Sequence, residues 1–239
     1  MENKLFTQLN ILVLGPTGVG KSTLINSELK LTGENAAETD PAKVTTKKFE
    51  EYTSDKMKNI RLIDSRGIEM DPNNGIDKLY DETKKYIENR ELENNPDKFI
   101  HCIWYCITGT RLQEPEKKFL EKISKIYTGS NLPIIVVYTQ PVSDKFIKAI
   151  EKEVKLIDES LPFIDVNAID NIINGNIVIK PRNLDELIKI SKEKISKAIN
   201  SNEDCSIKKT IINNIYNDIN KNNNDVNKEI KNKIDIYDI

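Results

Sequence analysis

One glycine-rich segment constrains this chain more than any other feature. It reads Gly15-Pro16-Thr17-Gly18-Val19-Gly20-Lys21-Ser22-Thr23, between an apolar run at 9–14 and a helix-like run at 24–29. The pattern G-x-x-x-x-G-K-S/T, set between a strand and a helix, predicts a phosphate-binding loop. Glycines let consecutive backbone N–H groups point inward at a phosphate, and the helix start adds further N–H groups and the positive end of its dipole.

The residue types of this loop have separate predicted roles. We expect Lys21 to reach the β- and γ-phosphates of a nucleotide and the Ser22 hydroxyl to ligate Mg²⁺. A glycine-rich turn without a ligand is the alternative, and the flanking strand and helix patterns disfavour it. The predicted nucleotide contacts of the loop are Gly15, Thr17, Gly18, Val19, Gly20, Lys21, Ser22 and Thr23.

Composition narrows the class of protein. The 239 residues carry 36 basic and 38 acidic side chains, a net charge of −2, so charge gives no support for nucleic acid as a partner. No apolar run approaches the length of a membrane span, and the N-terminal residues lack the pattern of a secretory signal. Cys102 and Cys106 would lie on one face of a strand as buried thiols, and with Cys205 they show no metal spacing. A cytoplasmic location is therefore expected.

Apolar runs alternate with helical patterns along the chain. Strands are predicted at 9–14, 47–53, 60–63, 99–107, 133–138 and 163–168, and helices at 24–29, 77–92, 116–127, 147–157 and 184–199. This order predicts a three-layer, doubly wound α/β fold with a mainly parallel sheet. The short turn between the strands at 47–53 and 60–63 predicts one antiparallel edge strand.

Smaller signals complete the fold prediction. An Asn-Gly pair within 172–179 predicts a hairpin, and Asn183-Leu184-Asp185-Glu186 predicts a capping box at a helix start. The α/β domain is expected to span residues 1–200. From 201 to 239, isoleucines recur every four residues, which predicts an amphipathic helical tail that packs on its own domain or on another chain.

A second phosphate-site signal follows the strand at 60–63. In Asp64-Ser65-Arg66-Gly67, an acidic residue at a strand end beside the glycine loop is expected to hold Mg²⁺ through a water. Three residues later, Gly67 allows its N–H to approach the γ-phosphate. The polar stretch 32–43 predicts a mobile loop, and the single histidine, His101, is expected to be structural.

Taken in order, these motifs resemble the plan of small GTPases, and more narrowly the Era, septin and immunity-associated GTPase-like branch of the translation-factor-related class. The resemblance covers residues 8–200. It implies a guanine-nucleotide switch with Mg²⁺, in which GTP orders two mobile loops and hydrolysis releases them. It also implies that Thr45 or Thr46 closes on Mg²⁺ through its hydroxyl, and that Thr23 supports the α-phosphate.

The base-reading loops resemble the family less closely. The family pattern is Asn or Thr, Lys, any residue, Asp, whereas this chain has Thr139-Gln140-Pro141-Val142-Ser143-Asp144. Thr139 fits, Gln140 lacks the lysine charge, and Asp144 comes two residues late. Asp144 would either accept from the guanine N1–H and N2–H₂ or act as a first-turn acid of the next helix. Asn167-Ala168 is similar to the last base-contact motif, in which the Ala168 N–H would meet guanine O6.

The hydrolytic residues also depart from the pattern. Ile68 follows Gly67 where Ras-like enzymes have a water-orienting glutamine, so we expect a slow intrinsic rate of ~10⁻⁴ s⁻¹ or below. Arg66 is either a catalytic arginine or a surface charge. The expected function is a GTP switch that hydrolyses GTP slowly to GDP and phosphate, acting on a protein effector or by self-association through its loops and tail. The alternatives are a P-loop ATPase or kinase, and a non-hydrolysing, septin-like assembly module.

Overall fold

The computed structural model describes residues 8–39, 49–65, 75–93, 95–130, 132–141, 143–173 and 176–200. Its strands are β1 Leu9–Leu14, β2 Phe49–Thr53, β3 Ile60–Ser65, β4 Cys102–Ile107, β5 Ile134–Thr139, β6 Phe163–Val166, β7 Asn171–Ile173 and β8 Asn176–Ile179. Its α-helices are α1 Lys21–Leu29, α2 Gly75–Leu92, α3 Glu114–Ser130, α4 Asp144–Ile157 and α5 Leu184–Asn200. The predicted tail at 201–239 lies outside the described residues.

Six strands form one sheet in the order β2-β3-β1-β4-β5-β6. All neighbours are parallel except β2 and β3, which are antiparallel. The strands β1, β4 and β5 are buried at every position, which explains their almost entirely apolar sequences. The predicted three-layer fold with one antiparallel edge strand is confirmed, and β7 and β8 form the predicted hairpin.

Helices cover both faces of the sheet. One core cluster joins α1 and α5 to side chains such as Ile11, Trp104 and Val137, and it contains both Cys102 and Cys106. The other joins α2, α3 and α4 to Leu12, Tyr105 and Val136. None of the described helices is long and apolar enough to cross a bilayer.

The start of β4 differs from the sequence prediction. A 3₁₀ turn at Pro96–Lys98 precedes it, and residues 99–101 wrap around the buried Asn10 before the strand begins at Cys102. The Asn10 side chain donates to the Phe99 carbonyl (2.8 Å), and the Asn10 backbone N–H donates to His101 Nδ1 (2.9 Å). His101 therefore has the expected structural role, at the end of β1 remote from the glycine loop.

The predicted mobile loop at 32–43 is anchored in its first part. The Asn26 side chain donates to the Ala37 carbonyl (2.9 Å) and accepts from the Ala37 N–H (2.7 Å). Ala37 is buried against the core under α1. The structure thus anchors the predicted loop at Ala37. The mobility of the loop stays a prediction, and residues 40–43 lie outside the described residues.

The helix start predicted at 183–186 is confirmed, but its capping box is wrong. Asn183 has a left-handed φ of 65°, and its Nδ2 donates to the Asp165 carbonyl (2.8 Å). Glu186 pairs with Lys189 on the helix surface. The Asn183 side chain therefore ties α5 to β6 through Asp165.

One buried carboxyl group lies on α1. Glu28 is 6% exposed, and its Oε1 has no hydrogen-bond partner among the described residues. Burial raises the pKa of Glu28 from 4.5 to about 8, with a further contribution from the negative charge of Asp185 on α5. Glu28 is therefore protonated at neutral pH in the folded protein.

We expect Glu28→Gln to stabilise the protein at alkaline pH. Glu28 loses its proton near pH 4.5 in the unfolded state and only near pH 8 in the folded state. The protonated carboxyl group therefore makes its full contribution to stability below about pH 4.5, and this contribution is lost as the pH rises through about 8. The amide removes the ionisation, so the variant should exceed the wild type by ~2–4 kcal/mol at pH 8.5, with a smaller gap at pH 5. Urea unfolding at both pH values, with the exposed Glu91→Gln as control, measures this. An equal pH dependence of wild type and Glu28→Gln would contradict it.

Candidate functional site

The glycine-rich loop joins β1 to α1 at the carboxyl edge of the sheet. Gly15, Gly18 and Gly20 have φ values of 144°, 80° and 90°, a region that side chains rarely allow. Gly20 is the N-cap of α1, and it offers no side-chain hydrogen bond to the first helical N–H groups. The first turn of α1 has no acidic residue. These N–H groups and the helix dipole are therefore available to an anion.

The start of the loop fits tightly against β4. A Cβ on Gly15 would lie 2.3 Å from the carbonyl oxygen of Cys106 and 3.1 Å from its carbonyl carbon. Sequence reasoning missed Cys106 as the floor of the loop. The contact uses its backbone, so the side-chain pattern of the strand carries no signal for it.

Lys21 lies buried within the loop. It is 7% exposed, and its Nζ donates to the carbonyls of Gly15 and Pro16, both at 3.0 Å. Burial lowers the pKa of Lys21, and the carboxylate of Asp64 acts in the opposite direction. The loop therefore folds around the ammonium group, as a phosphate cradle requires.

Ser22 and Asp64 meet beside the loop. Ser22 Oγ donates to Asp64 Oδ2 (2.9 Å), although the two residues are 42 positions apart. Asp64 is 4% exposed, and its Oδ1 has no hydrogen-bond partner among the described residues. Burial raises the pKa of Asp64, while Lys21 and the Ser22 hydrogen bond lower it. A hydroxyl and a carboxylate with an unsatisfied buried oxygen fit the hard oxygen ligation that Mg²⁺ prefers.

Thr139 ties the end of β5 to the loop. Its hydroxyl hydrogen-bonds the Val19 carbonyl and lies 3.0 Å from the Ile107 carbonyl. The next residue, Gln140, has a left-handed φ of 53°. Its Nε2 would lie 3.1 Å from a Cβ on Gly20, so Gln140 lies beside the loop, next to the start of α1.

Asp144 is the first residue of α4 and is exposed. This is the position of a first-turn acid, where the helix dipole favours a carboxylate. Of the two roles expected for Asp144, this position corresponds to the first-turn acid of the next helix. A contact with a guanine base from the same position stays a prediction.

The Asn167 side chain holds the segment after β6, and its predicted place in the nucleotide site stays a prediction. Asn167 is 1% exposed, and its Nδ2 donates to the carbonyls of Ile169 (2.7 Å), Lys180 (2.9 Å) and Ile179 (3.2 Å). Its backbone also pairs with Arg182. These bonds hold the segment after β6, so the Ala168 N–H is the group left for the predicted base contact.

The structure brings the loop at 15–23, Asp64, Thr139 and Gln140 together at one edge of the sheet. Four predicted site residues lie outside the described part of the chain: Thr45, Thr46, Arg66 and Gly67. Their roles stay predictions.

Comparison with known proteins agrees with this geometry. Residues 10–140 match the family model described as "50S ribosome-binding GTPase". Cell division control protein 10 of Candida albicans is 31% identical over an alignment of 160 residues that covers 56% of this chain and 44% of that protein. Human Septin-9 is 29% identical over an alignment of 139 residues that covers 50% of this chain and 24% of that protein. The chain thus spans less than half the length of the curated relatives that it matches.

Two solved structures share the fold. Aquifex aeolicus Era bound to GDP·AlF4⁻ has a TM-score of 0.51 and 21% identity, over 77% of this chain and 56% of that one. Toc33 from Arabidopsis thaliana, in complex with Mg²⁺ and GMPPNP, has a TM-score of 0.50 and 18% identity, over 80% of this chain and 86% of that one.

The family model covers more than half of the 239 residues, and it includes the glycine loop, Asp64 and Thr139. The expected resemblance to P-loop GTPases is confirmed. The chain belongs to the 50S ribosome-binding GTPase family.

Proposed function

We propose that this protein is a GTP-binding molecular switch that slowly hydrolyses GTP to GDP and phosphate in the presence of Mg²⁺. The observation that carries the proposal is the buried Lys21, held by loop carbonyls beneath a helix start whose N–H groups have no side-chain cap. This arrangement suits the β- and γ-phosphates of a nucleotide. Membership of a GTPase family supports guanine over other bases.

The residues around the phosphates have distinct proposed tasks. The loop N–H groups bind phosphate oxygens, and the Lys21 ammonium group neutralises their charge. Ser22 and Asp64 would hold Mg²⁺, which when bound neutralises charge that develops on the phosphates. Gly67, together with Thr45 or Thr46, would complete the site from the predicted loops.

We propose a slow intrinsic reaction. Ile68 cannot orient a water by hydrogen bonding, so turnover without a partner should stay near or below ~10⁻⁴ s⁻¹. An arginine supplied by a partner, or Arg66 from this chain, would accelerate it by ~10³–10⁵-fold. An effector or a second copy would act through the loops at 32–46 and 65–74, with the tail at 201–239 taking part. A cytoplasmic site of action agrees with the two buried cysteines, which form no disulfide.

The nucleotide itself tests the proposal. The bound nucleotide released from purified protein by denaturation should be GDP or GTP. In competition with a fluorescent GDP analogue, GTP should displace the probe at a concentration at least ~100-fold below ATP. Equal displacement by ATP would instead favour the ATPase or kinase alternative.

We expect Asp144→Asn to shift base preference from guanine toward xanthine by ~10–100-fold. The proposed reason is that the exposed carboxylate at the start of α4 accepts from the guanine N1–H and N2–H₂, whereas an amide can donate to xanthine O2. Competition between GTP and XTP for the fluorescent probe measures the shift. Asp170→Asn, an exposed aspartate that follows β6, is the matched control and should keep guanine preference. Unchanged guanine preference in Asp144→Asn would leave Asp144 as a helix acid only.

A further inference from the structure

Glu50 on β2 lies directly opposite Asp64 on β3. The antiparallel register pairs these two residues, so their side chains project from the same face of the sheet. Cβ atoms of directly opposite residues are ~4.5–5.5 Å apart, and like charges in such a pair destabilise a sheet. The proximity contributes to the raised pKa of Asp64, where the Glu50 charge adds to the larger effect of burial. A positive ligand beside the pair would remove the repulsion.

A buried oxygen of Asp64 is a second observation that fits a cation at this place. Its Oδ1 is buried and has no hydrogen-bond partner in the described part of the chain, while Oδ2 accepts from Ser22. A buried carboxylate oxygen without a partner is unfavourable by several kcal/mol unless a donor or a cation satisfies it. The orphaned oxygen is independent of the strand pairing that brings Glu50 to the same place.

The Glu50 carboxylate is held in position by Tyr52. Tyr52 Oη donates to Glu50 Oε2 (2.7 Å), and the Tyr52 ring packs against the core under α1. Burial, the Glu50 hydrogen bond and the charges of Glu50, Asp64 and Glu38 all raise the pKa of Tyr52. The hydroxyl therefore stays a donor at any physiological pH, and Glu50 is oriented as an acceptor.

We propose that Glu50, oriented by Tyr52, is a positioning residue of the cation site, and that it strengthens Mg²⁺ binding as a second negative charge facing Asp64. This rests on the proposed nucleotide and Mg²⁺ site. The proposed effect of Glu50 on the ion is electrostatic, because its oriented carboxylate faces Asp64 across the strand pair. Glu50 lies outside the glycine loop and the Asp64–Gly67 motif, and therefore carries no motif signal of its own.

The test is the release of a fluorescent GDP analogue, measured as a function of free Mg²⁺. Bound Mg²⁺ slows release, so the free Mg²⁺ concentration at half effect reports the affinity for the ion without any need for hydrolysis. For Glu50→Gln this concentration should rise ~5–30-fold, as expected for the loss of one nearby, partly screened charge. For Tyr52→Phe, which keeps the ring and removes only the hydroxyl, we expect ~2–5-fold. Asp55→Asn, an exposed aspartate beyond the other end of β2, should match the wild type.

Thermal melting in EDTA separates this role from a purely structural one. Without Mg²⁺, the proposal predicts that Glu50→Gln is at least as stable as the wild type, because the like-charge pair is removed. If Glu50→Gln keeps the wild-type Mg²⁺ midpoint while the wild type responds to Mg²⁺, the Glu50 proposal is overturned and the nucleotide proposal stands. If the wild type binds no labelled GDP at all, both are overturned.

Discussion

Lys21→Ala is expected to weaken nucleotide binding by ~10²–10⁴-fold, about 3–5 kcal/mol. The carbonyls of Gly15 and Pro16 already hold the buried ammonium group within the loop. A bound phosphate therefore interacts with this positive charge without reorganisation of the loop. Alanine removes both the charge and the donor. Titration of the fluorescent GDP analogue measures the loss.

The fold should survive this change. Burial disfavours the charged form of Lys21, but its side chain also donates to two loop carbonyls and offsets the buried charge of Asp64, so we expect a loss of ~1–3 kcal/mol in the free energy of unfolding. Far-ultraviolet circular dichroism without nucleotide should match the wild type, while the melting temperature falls by several degrees. Lys56→Ala, an exposed lysine in the turn after β2, is the control and should bind normally. Tight nucleotide binding by Lys21→Ala would contradict the assignment of this loop as the phosphate-binding site.

Gly15→Ala is expected to destabilise the protein itself by ~3–5 kcal/mol. The added Cβ would lie 2.3 Å from the Cys106 carbonyl oxygen, at a backbone φ of +144° that alanine disfavours. That neighbour is backbone of the central strand β4, so it cannot move aside as a flexible side chain would. Urea unfolding without nucleotide measures the loss.

Gly33→Ala separates the clash from the backbone preference. Gly33 also has a positive φ, +63°, but a Cβ there would meet nothing within 4 Å. We expect a loss of only ~1 kcal/mol, the ordinary penalty of a left-handed alanine. Equal losses for the two variants would mean that the close approach of the loop to β4 has no energetic weight.

The fold was predictable because its strongest signals are local. The runs of β1, β4 and β5 are almost entirely apolar and are separated by helical patterns, which leaves few arrangements besides a covered parallel sheet. The glycine loop was predictable for a related reason. Its glycines, Lys21 and Ser22 are contiguous in sequence, so their spacing alone defines the cradle.

The features that sequence could not supply depend on contacts between distant segments. Asn167 resembles a base-reading residue, yet its amide bonds the segment at 179–180, which no local pattern specifies. Residues 99–101 were predicted as part of a strand, but hydrogen bonds with the buried Asn10 hold them outside β4. Glu50 became a candidate only because the β2–β3 register places it opposite Asp64.

Amide hydrogen exchange across residues 15–23 tests the central claim most directly. Gly20 leaves the first N–H groups of α1 without a side-chain cap, so these amides should exchange faster in the free protein than with ligand. Added Mg²⁺ and a non-hydrolysable GTP analogue should slow exchange of the amides of residues 18–23 at least ~10-fold, because these N–H groups would donate to phosphate oxygens. Unchanged exchange in this segment at saturating nucleotide and Mg²⁺ would contradict the claim that these amides hold the phosphates.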